Sequence, residues 1–215
     1  MSDKRDYTFL DKICLGIDQA VRAISANPKT TERAYPVKNI PEADLTPAEQ
    51  KHICGLMRIN HAGEVCAQAL YHAQALVSHR CDVKHQMRQA AIEEGDHLAW
   101  CQTRLTELGS HTSYLNPLWY AGSFVIGMTA GLAGDKWSLA FLAETENQVV
   151  GHLQQHMQEL PEHDKRSYNI LSQMQTDEAH HRDDAVQAGA ARLPEWIKKL
   201  MRITSKVLVK TAYKL

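Results

Sequence analysis

The sequence predicts an all-α fold, a four-helix bundle with shorter helical elements at either end. Apolar residues recur at helical period along nearly the whole chain, and strand-like alternation is almost absent. Four long periodic segments stand between boundary signals, enough for one bundle. A length of 215 residues suits one large domain, and 44% hydrophobic with 23% charged residues is an ordinary soluble composition.

In chain order, Leu10, Ile13, Cys14, Ile17, Ala20, Val21 and Ile24 mark a short amphipathic helix. Residues 26–46 carry Pro28, Pro36 and Pro41 among polar residues and read as a connector, so 1–45 form an N-terminal helix and connector. Thr46-Pro47-Ala48-Glu49 is a capping box with proline at the first helical position, opening a helix to about residue 79. Asp82 is placed as the cap of a second helix ending at Gly109, and Asp135 as the cap of a third ending near Pro161. A fourth is expected from about Glu162 to Gly189, which makes 46–189 the bundle, with the apolar segment 114–134 inside it. Residues 190–215 read as a basic amphipathic C-terminal helix.

The bulk numbers also narrow function. A net charge of −1 gives no field for nucleic acid. Five cysteines form no C-x-x-C pair and fit reduced thiols of a cytosolic protein. The start, MSDKRDYTFLDK, has no apolar h-region, so cytoplasmic residence is the default. Twelve histidines invite a search for metal ligands.

Three E-x-x-H spacings occur, and Glu49/His52 is the chance match because Glu49 already serves the capping box. On the second helix, Glu94 and His97 fall into the stripe Val83, Met87, Ala90, Ala91, Leu98, Cys101, Leu105, while Glu93 and Asp96 turn toward solvent. On the fourth, Glu178 and His181 share the stripe of Leu171, Met174 and Ala185, and Asp177 and His180 fall off it. The first helix places Glu64 on a face with Met57, His61, Gln68 and Tyr71. Glu146 interrupts the stripe of the third, and Glu144 is out of phase. Each inward Glu precedes an inward E-x-x-H by about thirty residues, so the chain holds two approximate repeats.

An inward carboxylate is ordinarily ion-paired, yet these stripes contain no Lys or Arg. Two divalent cations would neutralise four carboxylates, and carboxylate with imidazole favours iron or manganese over softer metals. A Glu on each of two helices plus Glu-x-x-His on two others is the ligand set of ferritin-like di-iron or di-manganese proteins. By position, Glu94 and Glu178 would bridge, Glu64 and Glu146 would be terminal, and His97 and His181 would serve one metal each. His61 and His152 are candidates for outer contacts to the ligand histidines or for proton handling, and packing or surface roles for them stay open.

Two segments point to a membrane. Residues 117–134 are uncharged, and their four glycines with Pro117 favour a hairpin-like or shallowly inserted segment over a span. The C-terminal stretch EWIKKLMRITSKVLVKTAYKL sets six basic residues against one acid, interleaved with Trp196, Leu200, Ile203 and Val207. A basic helix packed on the bundle is the plainer alternative.

RINHAGE (58–64), EEGDH (93–97), PLWYAG (117–122), ETENQVVGH (144–152) and DEAHH (177–181) resemble the demethoxyubiquinone hydroxylases of ubiquinone biosynthesis, bacterial members most closely. The resemblance runs from about residue 46 to the C-terminus. It implies a ferritin-like bundle with added membrane-contacting helices, and two iron ions per subunit, Fe2+ when O2-reactive. The implied ligands are Glu64, Glu94, His97, Glu146, Glu178 and His181; the choice of Glu146 over Glu144 rests on phase as well. The implied reaction is ring hydroxylation of 2-polyprenyl-3-methyl-6-methoxy-1,4-benzoquinol (demethoxyubiquinol) by O2. The implied partners are this membrane-dissolved quinol, O2, an unidentified electron donor and membrane lipid, with other ubiquinone-biosynthesis proteins a candidate class and no nucleic acid. The implied location is peripheral, on the cytoplasmic face of the cell membrane. The rival readings are an iron-storage ferroxidase, which would assemble into a hollow soluble shell, and a helical adaptor, which would purify without stoichiometric iron.

Overall fold

The computed structural model describes residues 8–25, 28–37 and 39–215, and every regular element among them is a helix. The charged stretch 1–7, connector positions 26, 27 and 38, and the side chain of Ile13 lie outside the described residues. The helices are α1 (Phe9–Ile24), α2 (Pro47–Val77), α3 (Cys81–Glu107), α4 (Asn116–Leu132), α5 (Asp135–Glu159), α6 (Lys165–Gln187) and α7 (Glu195–Ala212). The all-α expectation holds.

Two hairpins build the bundle, α2 with α3 and α5 with α6, and α4 crosses between them against α2 and α5. Thr46 opens α2 with the expected capping box: its hydroxyl accepts from Glu49 N while Glu49 accepts from Thr46 N. Helices α3 and α6 close alike. Gly109 takes φ +66°, its N–H reaches Thr106 O at 3.0 Å, and Ser110 N reaches Leu105 O at 2.8 Å. Gly189 and Ala190 repeat these bonds to Val186 and Ala185. The internal repeat read from the glutamates therefore extends to the helix ends.

Several expectations need correction. Asp82 does not cap α3; Arg80 holds that position without a side-chain cap, and Asp82 sits in the first turn, paired with Arg80. Asp135 is the first residue of α5 and not its cap. Its carboxylate accepts from Ser78 Oγ at 2.8 Å and Arg80 N at 3.0 Å, pinning the start of α5 to the α2–α3 turn. Helix α6 starts at Lys165, capped by Asp164, and not at Glu162. The segment 117–134 is no hairpin: α4 is one helix of 17 residues. Two of its glycines are contacts. A Cβ on Gly127 would lie 2.7 Å from Leu70 O, and one on Gly131 2.4 Å from Val77 Cγ2, so they let α4 lie close on α2.

Two apolar clusters divide the bundle lengthwise. One joins Ile53, Met57, Cys101, Leu105, Leu153, Ile170, Leu171 and Met174. The other joins Tyr71, Val83, Met87, Ala91, Leu139, Leu142 and Ala185. Between them, each bundle helix passes one polar layer, and the inward carboxylates lie there. Helix α7 packs on α2 and α5, with Ala212, Leu208 and Val209 near Ile59 and Ala62. The connector is part of the core as well, through Val37, and through Glu42, which binds the buried Arg104 guanidinium at 2.6 and 2.8 Å.

Candidate metal centre

Glu64 from α2, Glu94 and His97 from α3, and Glu178 from α6 are all buried, and each offers a donor atom within 4.8 Å of the others. His97 Nδ1 is 3.0 Å from Glu94 Oε2 and 2.9 Å from Glu178 Oε1. His181 Nδ1 is 3.2 Å from both Glu94 Oε1 and Glu178 Oε2. Each imidazole thus faces the glutamate of its own helix and that of the opposite one. Glu146 enters from α5, buried, with Oε1 accepting the Tyr71 hydroxyl proton. The alternatives fall elsewhere: Glu144 faces Lys198 Nζ at 3.8 Å, and His180 is exposed. Glu49 remains in its capping box, and His52 bonds Tyr213.

The electrostatics call for added positive charge. No Lys or Arg pairs with any of these four carboxylates among the described residues. Burial, then the neighbouring Glu94 carboxylate, pushes Glu64 well above the usual carboxyl range. Burial followed by Glu178 does the same to Glu146. Glu94 goes the other way: burial opposes its ionisation, but the imidazoles of His97 and His181 outweigh it and hold it low. Both histidines rise although burial opposes their charge, because the surrounding carboxylates favour imidazolium. Glu146 Oε2 is buried without a hydrogen-bond partner, and among the described residues Glu94 Oε1 and Glu178 Oε1 face only the imidazole nitrogens of His181 and His97. Such oxygens are costly beside apolar clusters and fit a group that brings positive charge. Oxygen and imidazole donors without thiolate suit iron or manganese.

The outer imidazole nitrogens complete the pattern. His97 Nε2 lies 2.9 Å from Asp177 Oδ2, and His181 Nε2 lies 2.8 Å from Glu93 Oε2. Each histidine is thus oriented by the acid one residue before the other helix's inward glutamate, leaving Nδ1 aimed at the cluster. Neither His61 nor His152 takes this part. His61 sits against Asn116 at 3.4 Å, and His152 lines a cavity. The repeated acidic pair in EEGDH and DEAHH was the available signal for Glu93 and Asp177.

Asp96, expected in solvent, is 1% exposed. Residues 28–33 form a strap across α3 that covers it. Thr31 donates to Asp96 through its amide at 3.0 Å and through its hydroxyl, and Arg33 Nε approaches Asp96 at 3.5 Å. Arg33 also donates to Asp177 and lies 4.7 Å over the Trp100 ring. The strap comes so close that a Cβ on Gly95 would meet Lys29 O at 1.7 Å. Periodicity within α3 carries no signal of this cover.

A cavity of about 280 Å³ opens beside the cluster between α2, α4, α5 and α7. Glu64 lies in its wall with Ile59, Leu70, Phe141, Val149 and Met201. Its polar lining includes Asn60 and His156, joined at 2.8 Å, with Asn60 Nδ2 left unpartnered. Burial lowers His156 to about 4 and keeps it neutral.

The family model described as ubiquinone biosynthesis protein COQ7 matches residues 51–212. A protein of Legionella pneumophila (strain Paris) named 3-demethoxyubiquinol 3-hydroxylase is 53% identical over 210 residues, covering 97% of this chain and 99% of its own. One of the same name from Acinetobacter baylyi is 52% identical over 209 residues with the same coverage. The match takes in all four bundle helices and every residue of the buried cluster, and on it the chain belongs to the ubiquinone biosynthesis protein COQ7 family.

Proposed function

We propose that the chain is a di-iron monooxygenase that hydroxylates the open ring carbon of 2-polyprenyl-3-methyl-6-methoxy-1,4-benzoquinol, a late step of ubiquinone biosynthesis. The observation that carries the reading is the apolar cavity with Glu64 in its wall. The hydroxylase name shared by its relatives supports it.

Glu64, Glu94, His97, Glu146, Glu178 and His181 would hold two iron ions, Glu64 and His97 on one side of the Glu94–Glu178 pair and Glu146 and His181 on the other. Bound there and reduced by a separate donor, iron would supply O2 activation, with one oxygen atom entering the ring and the other leaving as water. The protein does the rest. Apolar clusters above and below the polar layer exclude water. Asn60 Nδ2 offers an unspent donor to a ring oxygen, and its partner His156 fixes the amide.

The polyprenyl tail calls for an apolar exit. Leu118, Val125 and Leu132 of α4 are exposed, as are Trp196, Leu200, Ile203 and Val207 along one face of α7. Leu200 also lines the cavity. No helix among the described residues is long and apolar enough to cross a membrane. Peripheral docking on the cytoplasmic face of the cell membrane, with the tail left in lipid, agrees with these features.

The test is reconstitution with iron, a chemical reductant, the demethoxyquinol in vesicles and 18O2. Product carrying one 18O atom at the ring is expected. Iron-loaded protein that consumes O2 without converting the quinol would sink the proposal and favour a ferroxidase.

A further inference from the structure

The two halves of the cluster match in residue type but not in surroundings. Glu64, His97, Glu94 and Glu178 converge within 4.8 Å, whereas Glu146 and His181 stand outside that group. One oxygen of Glu146 is engaged by the Tyr71 hydroxyl. The outer contacts differ more. Asp177, which orients His97, is 13% exposed and receives the Arg33 guanidinium. Arg33 is itself fixed by Asp96 and by the face of Trp100, whose ring centroid lies 5.4 Å from that of His97. Glu93, which orients His181, is 31% exposed; among the described residues its one other hydrogen bond is from the neutral amide of Gln89 at 3.0 Å, and the Arg33 charge reaches it through space without a hydrogen bond.

A charge-assisted contact is stronger than a neutral one, and a donor set already in place loses less freedom when its ion arrives. We propose that the two metal positions are unequal: the Glu64/His97 position fills first and binds more tightly, and Arg33 is a positioning residue for that ion alone. Arg33 acts through Asp177 and His97 and touches no metal. The proposal rests on the dinuclear reading above.

The test uses metal-free full-length protein titrated with Co2+, read by calorimetry and by the visible bands that report cobalt coordination. Wild type should bind two ions, the first tighter by about tenfold or more. His181→Ala should keep one ion with the affinity of the first event, and His97→Ala one with that of the second. Arg33→Gln should weaken the ion about tenfold in the His181→Ala background and leave it unchanged in the His97→Ala background. Arg33→Lys, which keeps the charge, should recover part of the loss. Should Arg33→Gln lose its helical circular dichroism, Asp177→Asn takes its place with the same expectation. Equal affinities in the two single-histidine backgrounds, or equal weakening of both by the strap variant, overturns the proposal. Failure of every protein to bind cobalt overturns the dinuclear reading itself.

Discussion

Asp177 on α6 holds the outer nitrogen of His97 on α3 at 2.9 Å, so the orientation of one helix's histidine is set by the other helix. Glu93 returns the contact to His181 at 2.8 Å. A slide of α3 past α6 by one residue breaks both contacts together. The crossed pairs therefore fix helix register as well as imidazole orientation.

Glu178 is approached by both imidazoles, at 2.9 and 3.2 Å. Glu178→Ala is expected to abolish both iron loading and hydroxylation, checked by metal analysis and product assay. Retained full turnover would remove the assignment of this centre.

Gly95 and Gly151 should respond oppositely to alanine. Both lie inside helices, where alanine is ordinarily favoured by about 1 kcal/mol. Nothing stands within 4 Å of a Cβ at Gly151, so Gly151→Ala should stabilise by about 0.5–1 kcal/mol. At Gly95 the new atom meets the Lys29 carbonyl, and the strap must lift; a loss of roughly 1–3 kcal/mol is expected. Urea denaturation of the pair decides, and two changes of the same sign would discredit the strap.

Burial depresses His61 to about 3 and His156 to about 4, against 6.5 for the free side chain. Each binds fewer protons folded than unfolded across that interval, so the unfolded state gains as pH falls. Stability should therefore be full above pH 6.5 and decline toward the folded values, by up to about 1.4 kcal/mol per pH unit per group. His61→Asn should flatten the pH dependence of the melting temperature between pH 6.5 and 3. An unchanged slope would show that His61 does not contribute.

Exposed apolar residues on one face of α7, beside Lys198, Lys199, Arg202 and Lys206, are expected to carry membrane binding. Val207→Glu should weaken flotation with anionic vesicles by about tenfold. Added salt should weaken wild-type binding as well, since the basic residues are screened. Equal flotation of variant and wild type would move the docking face elsewhere.

Helical phase found the four inward carboxylates, but it turned Glu93 and Asp177 outward although each binds a histidine of the opposite bundle helix. It separated Glu94 from Glu93 and Glu146 from Glu144, because inward and outward are properties of one helix's own sequence. It failed at Asp96, where outward means beneath the 28–33 strap, a non-helical segment about sixty residues earlier in the chain. It also misjudged α4, since Gly127 and Gly131 read as breakers until α2 is seen lying against them. Asp135 followed the same rule: its partners, Ser78 and Arg80, belong to a distant turn. The missing information in each case was which surface covers which.

The polar layer lies between two apolar clusters. A carboxylate moved one turn along any bundle helix would leave this layer for hydrocarbon. Height in the bundle therefore decides what a glutamate can do here as firmly as its residue type does.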